Sequence, residues 1–183
     1  MANSSKPVIC RVGAGAGFAG DRIDQAVVLA ASGKVDTVAL ECLAERTLLP
    51  AIKSRNADPR AGYDPRIKRR MTPLLPAARK NKCRIVSNFG QANPRAAGQF
   101  IAQLASQLGC GGTRVAAVIG DDVMPLREHI AWDRPVNGTL VGAHAYLGAA
   151  PMSEALEQGA DVVVTGRVAD SALFAAPALR HLD

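Results

Sequence analysis

Short apolar runs alternate with longer segments of helical periodicity five times along the chain. The predicted strands are residues 8–12, 35–40, 84–87, 115–119 and 162–164. Between them, apolar positions recur at i, i+3, i+4 and i+7, the spacing of one helix face. The clearest case follows Asn93, where Ala97, Ile101 and Leu104 share a face. This alternation predicts one α/β domain over residues 1–183, a Rossmann-like parallel sheet of at least five strands with helices on both faces.

Helix starts and stops are marked by capping residues and proline. Asp21 is predicted to cap a helix over 22–32, and Asn93-Pro94 to open the helix that runs to Leu108. Asp64-Pro65 has the same form and predicts another start. Proline inside a helix removes a backbone donor, so Pro50 and the pair at 73 and 76 are expected to disturb their helices. Between residues 123 and 146 the pattern fits a helix followed by an irregular segment.

Polar residues follow each predicted strand, and parallel strands bring their carboxyl ends to one edge of a sheet. We therefore expect a small-molecule site at that edge. After the first strand stands Gly15-x-Gly17-x-x-Gly20, with Glu41 21 residues later at the end of the second strand. This spacing matches a dinucleotide fingerprint and suggests NAD(P). Asp21 argues against it, since a carboxylate there repels a pyrophosphate. Two alternatives remain for the glycine loop: it binds a different anionic ligand, or it is a purely structural turn.

Three acidic residues are the catalytic candidates: Glu41, Asp121 and Asp170. Each follows a predicted strand, where a carboxylate can act as a general base. Glu41, Asp121 and Asp122 also have the oxygen ligands that a divalent metal such as Mg²⁺ prefers. Helix capping is the competing interpretation for Asp121 and Asp170.

Substrate-orienting roles are predicted for Asn88, Asn93 and Arg167, whose amides and guanidinium suit a carboxylate or phosphate. Cys42 stands beside Glu41 and near Arg46. A cation there could activate the thiol, but a buried, inert cysteine is the favoured interpretation. His129 and His144 have no partner pattern around them and are treated as ordinary polar residues.

Net charge, aromatic content and cysteine spacing limit the kinds of binding partner that the chain can have. The formal net charge is +6, and much of the excess lies between Lys53 and Arg84, either as a solvated face or as a patch for an anionic ligand. Aromatic residues are 4% of the chain, which argues against nucleic-acid stacking. The four cysteines form no C-x-x-C pair, and no apolar run approaches the length of a membrane span. We expect a cytoplasmic protein without a nucleic-acid or membrane partner.

The ordered motifs resemble the N-terminal domain of the acyclic terpene utilisation (AtuA-like) family, long filed as a domain of unknown function. They are GAGAGFAGDRID, LECLAERT, AGYDPR, SNFGQANPRAA, GDDV and AYLGAAPMSEALEQGADVVVTGRVADSALF. The resemblance implies a bacterial role in the breakdown of citronellol and geraniol, beside enzymes of acyl-CoA thioesters. It supplies no catalytic residues. Family members continue beyond Asp183, so it also implies an incomplete version of the domain, completed by a homo-oligomer or a partner subunit.

The resulting expectation is an enzyme of acyclic terpenoid or branched acyl-CoA-type catabolism. Acid/base groups without a recognised redox cofactor favour lyase, hydratase or hydrolase chemistry. A divalent metal or a CoA moiety would be the bound group. Two alternatives stay open: an NAD(P)-dependent oxidoreductase that uses Gly15, Gly17 and Gly20, and a non-catalytic subunit or binding module.

Overall fold

The computed structural model describes residues 9–134, 137–179 and 181. Within them the chain forms a five-stranded, fully parallel sheet in the order β1-β2-β3-β5-β4. The strands are β1 (Val12–Ala16), β2 (Thr37–Leu40), β3 (Arg84–Ser87), β4 (Val115–Val118) and β5 (Val162–Thr165). The helices are α1 (Asp24–Ala31), α2 (Glu45–Ala57), α3 (Ile67–Lys80), α4 (Pro94–Gln107), α5 (Ala150–Glu157) and α6 (Asp170–Leu179). A short 3-10 helix spans Met124–His129.

Helices cover both faces of the sheet, which confirms the predicted fold class. Val38 and Leu40 point into a core shared with α1, α3 and α4. Ala39, between them, points into a second core with α5 and α6. Because successive side chains of a strand face opposite sides, strands buried on both faces are almost entirely apolar. All four residues of β2 are buried.

The order in which strands are added to the sheet reverses at the last strand, β5. It advances from β1 through β4 with α1, α3 and α4 on one face. It then returns by α5, on the other face, to place β5 between β3 and β4. The loops after β3 and β5 therefore lead to opposite faces. Such a boundary between neighbouring parallel strands is where open α/β sheets bind their ligands.

The first strand differs from its prediction. It runs over Val12–Ala16 rather than 8–12, while Ile9 is largely exposed and Val8 lies outside the described residues. Gly15 is thus part of a strand. A Cβ on it would lie 2.6 Å from Val38 Cγ1 and 2.8 Å from Ala26 Cβ. The glycine lets α1 and β2 pack closely, so the prediction of a loop at this position was wrong.

Two of the capping predictions are also wrong. Ile23, not Asp21, precedes the first turn of α1 and makes no side-chain cap. Asp21 Oδ2 instead accepts a hydrogen bond of 2.9 Å from the backbone N–H of Gly17. The helix expected at Asp64-Pro65 begins at Ile67, because Asp64 accepts from Arg66 N in a tight turn before it.

The Asn93 cap is confirmed: its side chain accepts from Ala96 N, and Pro94 opens α4. The expected disturbance by proline does not end either helix. Pro50 lies inside α2, and α3 continues through Pro73 and Pro76. Burial of Met71 and Leu74 in the core holds α3 together across the missing backbone donors.

Candidate functional site

Two glycines close the boundary between β3 and β5. Gly90 donates its backbone N–H to Thr165 O at 2.9 Å. A Cβ on Gly166 would lie 2.3 Å from Asp121 Oδ2 and 2.7 Å from Gln91 O. Because these glycines lack side chains, the loops after β3 and β5 meet directly. The Asp121 carboxylate, from the loop after β4, reaches the boundary itself.

Asp121 is paired with a histidine. Its Oδ2 accepts a hydrogen bond from Arg167 N at 2.8 Å and lies 2.9 Å from His144 Nδ1. The side chains of Asp121 and His144 are only 3% and 2% exposed. His144 Nε2 is buried and has no hydrogen-bond partner among residues 9–134, 137–179 and 181. The pair is a buried carboxylate–imidazole dyad with one ring nitrogen unused.

The Arg167 side chain is paired with a carboxylate of the same chain. It forms an ion pair with Glu45 at the start of α2 and contacts the hydroxyl of Tyr146. Its guanidinium carbon lies 4.2 Å from the centre of the Tyr146 ring, within cation–π range. The Glu45 carboxylate accepts hydrogen bonds from the Glu45 backbone N–H, Tyr146 and Arg167. These bonds, the backbone one most of all, hold the pKa of Glu45 below its ordinary value. Arg167 therefore ties α2 to the loop after β5.

Glu41 and Asn88 form a second bonded group. Glu41 Oε1 accepts from Leu43 N at 2.8 Å and from Asn88 Nδ2 at 3.0 Å. Asn88 Oδ1 accepts from Cys42 N at 2.7 Å. The two predicted site residues thus join the loops after β2 and β3. With both ends of the amide occupied, Asn88 holds backbone in place.

The Cys42 thiol is buried beside a cation that sequence inspection did not identify. Arg70 Nη1, from α3, lies 2.6 Å from Cys42 Sγ. Burial nevertheless outweighs the guanidinium and raises the pKa of Cys42 to about 12. An un-ionised thiol is a poor nucleophile, so the structure agrees with the inert interpretation.

The side chains of the other predicted site residues have partners or settings of their own. Asn93, besides capping α4, donates to Pro59 O and Ala61 O. Asp122 pairs with Arg55 at 2.8 Å. Asp170 is exposed in the first turn of α6. Glu41, Asp121 and Asp122 each have separate partners, and the described part of the chain contains no cluster of three or more His, Cys, Asp or Glu side chains able to hold a metal.

A cleft of about 570 Å³ opens at the same end of the sheet. It lies between the loop after β1, one side of α2 and the turn before α3. Its lining is mostly apolar and includes Phe18, Pro50, Ala51 and Tyr63, together with the polar Gln91. Gly20 is the one predicted site residue in this lining.

A second, basic cleft of about 490 Å³ adjoins the first. Gly20 and Arg66 line both. Four arginines surround it, opposed by two carboxylates: Arg22, Arg66, Arg69 and Arg70 against Asp21 and Asp24. Three of these arginines belong to the basic stretch noted in the sequence. Their convergence with Arg22 needed the packing of α1 against α3, which no local pattern specifies.

The fold and this edge define an α/β protein with a small-molecule-sized cleft at the carboxyl ends of a parallel sheet. Residues 10–183 match the family described as acyclic terpene utilisation family protein AtuA, and the chain belongs to that family. No curated protein and no solved structure matches the chain significantly. None of the described helices has the length and apolar character to cross a membrane.

Proposed function

We propose that this protein binds an acyclic terpenoid or related branched acyl-CoA-type compound and transforms it by acid/base chemistry of the hydratase, lyase or hydrolase type. The observation that carries the proposal is the pair of adjoining clefts, one apolar and one basic, that share Gly20 and Arg66. Membership of the acyclic terpene utilisation family supports the substrate class.

The apolar cleft suits a branched hydrocarbon chain. Its volume lies within the range of roughly 300–1,000 Å³ found for small-molecule pockets. Small side chains, Ala44 and Ala51, leave space on the side of α2, and the exposed Phe18 ring covers the opposite side. An apolar chain entering here would replace water against hydrocarbon, which favours binding.

The basic cleft suits an anionic head group. Arg66, just before α3, and Arg69, in its first turn, are both exposed. Arg66 donates one N–H to Ala19 O, and a guanidinium has five N–H donors, so both groups can form charge-assisted hydrogen bonds to carboxylate or phosphate. Gly17 cannot offer its N–H in the same way, since Asp21 occupies it. We therefore place the anion at the arginines rather than at the glycine loop.

Isothermal titration calorimetry with citronelloyl-CoA, free CoA and citronellol separates the two contributions. We expect the thioester to bind at least tenfold more tightly than either part. The variant R69A, whose side chain lines only the basic cleft, should weaken binding of the thioester and CoA but not of citronellol, and A51W should weaken binding of the thioester and citronellol. R95A, which removes an exposed arginine of α4 outside both clefts, is the matched charge control. Failure of all three ligands to bind at millimolar concentration would overturn the proposal.

The chemistry is tested by incubating the protein with the same thioester in deuterated water and analysing it by mass spectrometry. An acid/base enzyme is expected to yield a new product or to incorporate deuterium. The dinucleotide alternative lacks structural support, since Gly15 packs inside β1 and Asp21 occupies the N–H of Gly17. A thermal shift with NADH would reinstate it. Light scattering in solution tests the partner-subunit alternative, which stays a prediction.

A further inference from the structure

We infer that His144 is the general base of this site and that Asp121 is its positioning residue. The inference rests on the proposed function for the identity of the substrate. It rests on the geometry of the dyad for everything else. Neither residue lines the clefts, and His144 carried no motif in the sequence.

The orientation of the imidazole is what a general base needs. His144 Nδ1 donates to the buried Asp121 carboxylate at 2.9 Å, which leaves the lone pair of the neutral ring on Nε2. The carboxylate is itself held by Arg167 N, so it cannot rotate away from the ring. This is the arrangement in which an acid orients a histidine and stabilises the imidazolium that forms.

The free nitrogen is the second observation. The described part of the chain has three buried side-chain polar atoms without a hydrogen bond: Asp64 Oδ2, Ser87 Oγ and His144 Nε2. Asp64 Oδ2 is compensated by Arg70 at 3.3 Å. Ser87 has a neutral hydroxyl in the middle of the sheet. A buried acceptor without a partner costs free energy, and a histidine kept only for packing has no reason to leave Nε2 unpaired.

The location is the third observation. The dyad lies against the boundary between β3 and β5, where the connecting loops lead to opposite faces of the sheet. Gly166 is the residue that admits it, since any Cβ there would overlap the Asp121 carboxylate. The site is therefore built into the topology rather than attached to a surface loop.

Helix α2 connects the dyad with the apolar cleft. Ala51 and neighbouring residues line the cleft, while Glu45 and Asn56 bond the segment that carries His144: Glu45 accepts from Tyr146 OH, and Asn56 donates to Val141 O. The apolar contacts of α2 form a small cluster with Ala92, separate from the two main cores. Helix α2 is therefore the element that contacts both the apolar cleft and the segment that carries His144.

The step is a proton transfer. An O–H bond of substrate or water, or an acidic C–H bond, breaks. The proton bonds to His144 Nε2, and the electron pair stays on oxygen or carbon. The imidazolium is stabilised by the adjacent Asp121 carboxylate and later returns the proton to the leaving group or product.

Diethyl pyrocarbonate, which acylates an accessible unprotonated imidazole nitrogen, tests the inference on the full chain. Peptide mapping follows the three histidines, His129, His144 and His181, separately. Because Nε2 is buried, it reacts only when the surrounding chain opens locally, so we expect His144 to be acylated at Nε2 in the folded protein much more slowly than the exposed His129. D121N should slow the acylation of His144 by roughly tenfold or more, because it no longer selects the tautomer with a free Nε2. H129Q is the matched control and should leave the rate at His144 unchanged.

A His144 that is modified only under conditions that unfold the whole protein would overturn the inference, whether or not D121N folds. Equal rates at His144 in wild type and a folded D121N would overturn the role of Asp121. These readouts do not require ligand binding, so the proposed substrate class can fail while the base is upheld. Where the thioester is converted, H144Q should abolish conversion and leave the calorimetric affinity within about twofold of wild type.

Discussion

At the scale of single residues, glycines in similar sequence contexts do different things. Gly15 and Gly17 both belong to the cluster that resembles a phosphate loop. A Cβ on Gly15 would overlap Val38 and Ala26, whereas a Cβ on Gly17 would meet nothing within 4 Å. Gly15 is thus required by packing, while the N–H of Gly17 is used by Asp21. The cluster is mainly a close-packing device.

Gly166 is the glycine on which the site depends. We expect G166A to destabilise the protein by about 1–3 kcal/mol, because the new Cβ must displace the Asp121 carboxylate or Gln91 O. Urea unfolding followed by circular dichroism measures the change. G17A is the control and should change stability by less than about 0.5 kcal/mol, since its Cβ points into open space. A larger loss in G17A than in G166A would contradict the assigned roles.

The cysteines supply a prediction on pH. Burial raises the pKa of Cys42 to about 12 and that of Cys83 to about 11, from an ordinary value of 9.0. We expect neither thiol to react with iodoacetamide at pH 8 in the folded protein, and all four cysteines to react in guanidinium chloride. The unfolded chain ionises these thiols first, so their contribution to stability falls as pH rises from 9 towards 12. Alkylation of native Cys42 at pH 8 would show that Arg70 outweighs burial.

At the scale of elements, Arg70 joins α3 to the carboxyl edge. The side chain is buried and contacts three separate loops: it donates to Ala19 O after β1 and to Cys42 Sγ after β2, and pairs with Asp64 Oδ2 at 3.3 Å. Its guanidinium also lies over the Phe89 ring after β3. One side chain therefore fixes the relative positions of three loops that surround the apolar cleft.

We expect R70A to lower the free energy of unfolding by about 3–5 kcal/mol, because it leaves the Asp64 carboxylate buried without its cation. Thermal and urea denaturation measure the loss. R69A, the neighbouring exposed arginine on the same helix, is the matched control and should cost less than about 0.5 kcal/mol. Similar losses in both variants would show that helix charge, rather than the buried pair, is what stabilises this edge.

At the scale of the whole molecule, the topology brings the candidate site residues to the carboxyl edge of the sheet but does not place them in one pocket. Glu41 and Asn88 are bonded to each other, and Asp121 is bonded to Arg167. Glu45 pairs with Arg167 and so links Asp121 and Arg167 to α2, which also lines the apolar cleft. The expectation of one small-molecule site at the carboxyl edge stays a prediction. The roles of the individual residues remain predictions.

The chain pattern by itself determined the alternation of strands and helices and the class of sheet, but not the bounds of β1 or the starts of α1 and α3. Arg84–Ser87 is a strand at its predicted bounds, and Asn93 caps α4, because apolar alternation and capping are local properties. The ordered motifs likewise sufficed for the family, which the match over residues 10–183 confirms.

Only the tertiary structure decided the strand order and the partners of the buried polar groups. His144 meets Asp121 across 23 residues of largely irregular chain, and Arg70 meets Cys42 from a helix whose sequence shows only a basic run. Periodicity reports which face of an element is buried, whereas these pairings depend on the path of loops that have no period. The dyad and the clefts therefore appear only when the loops are placed around the sheet.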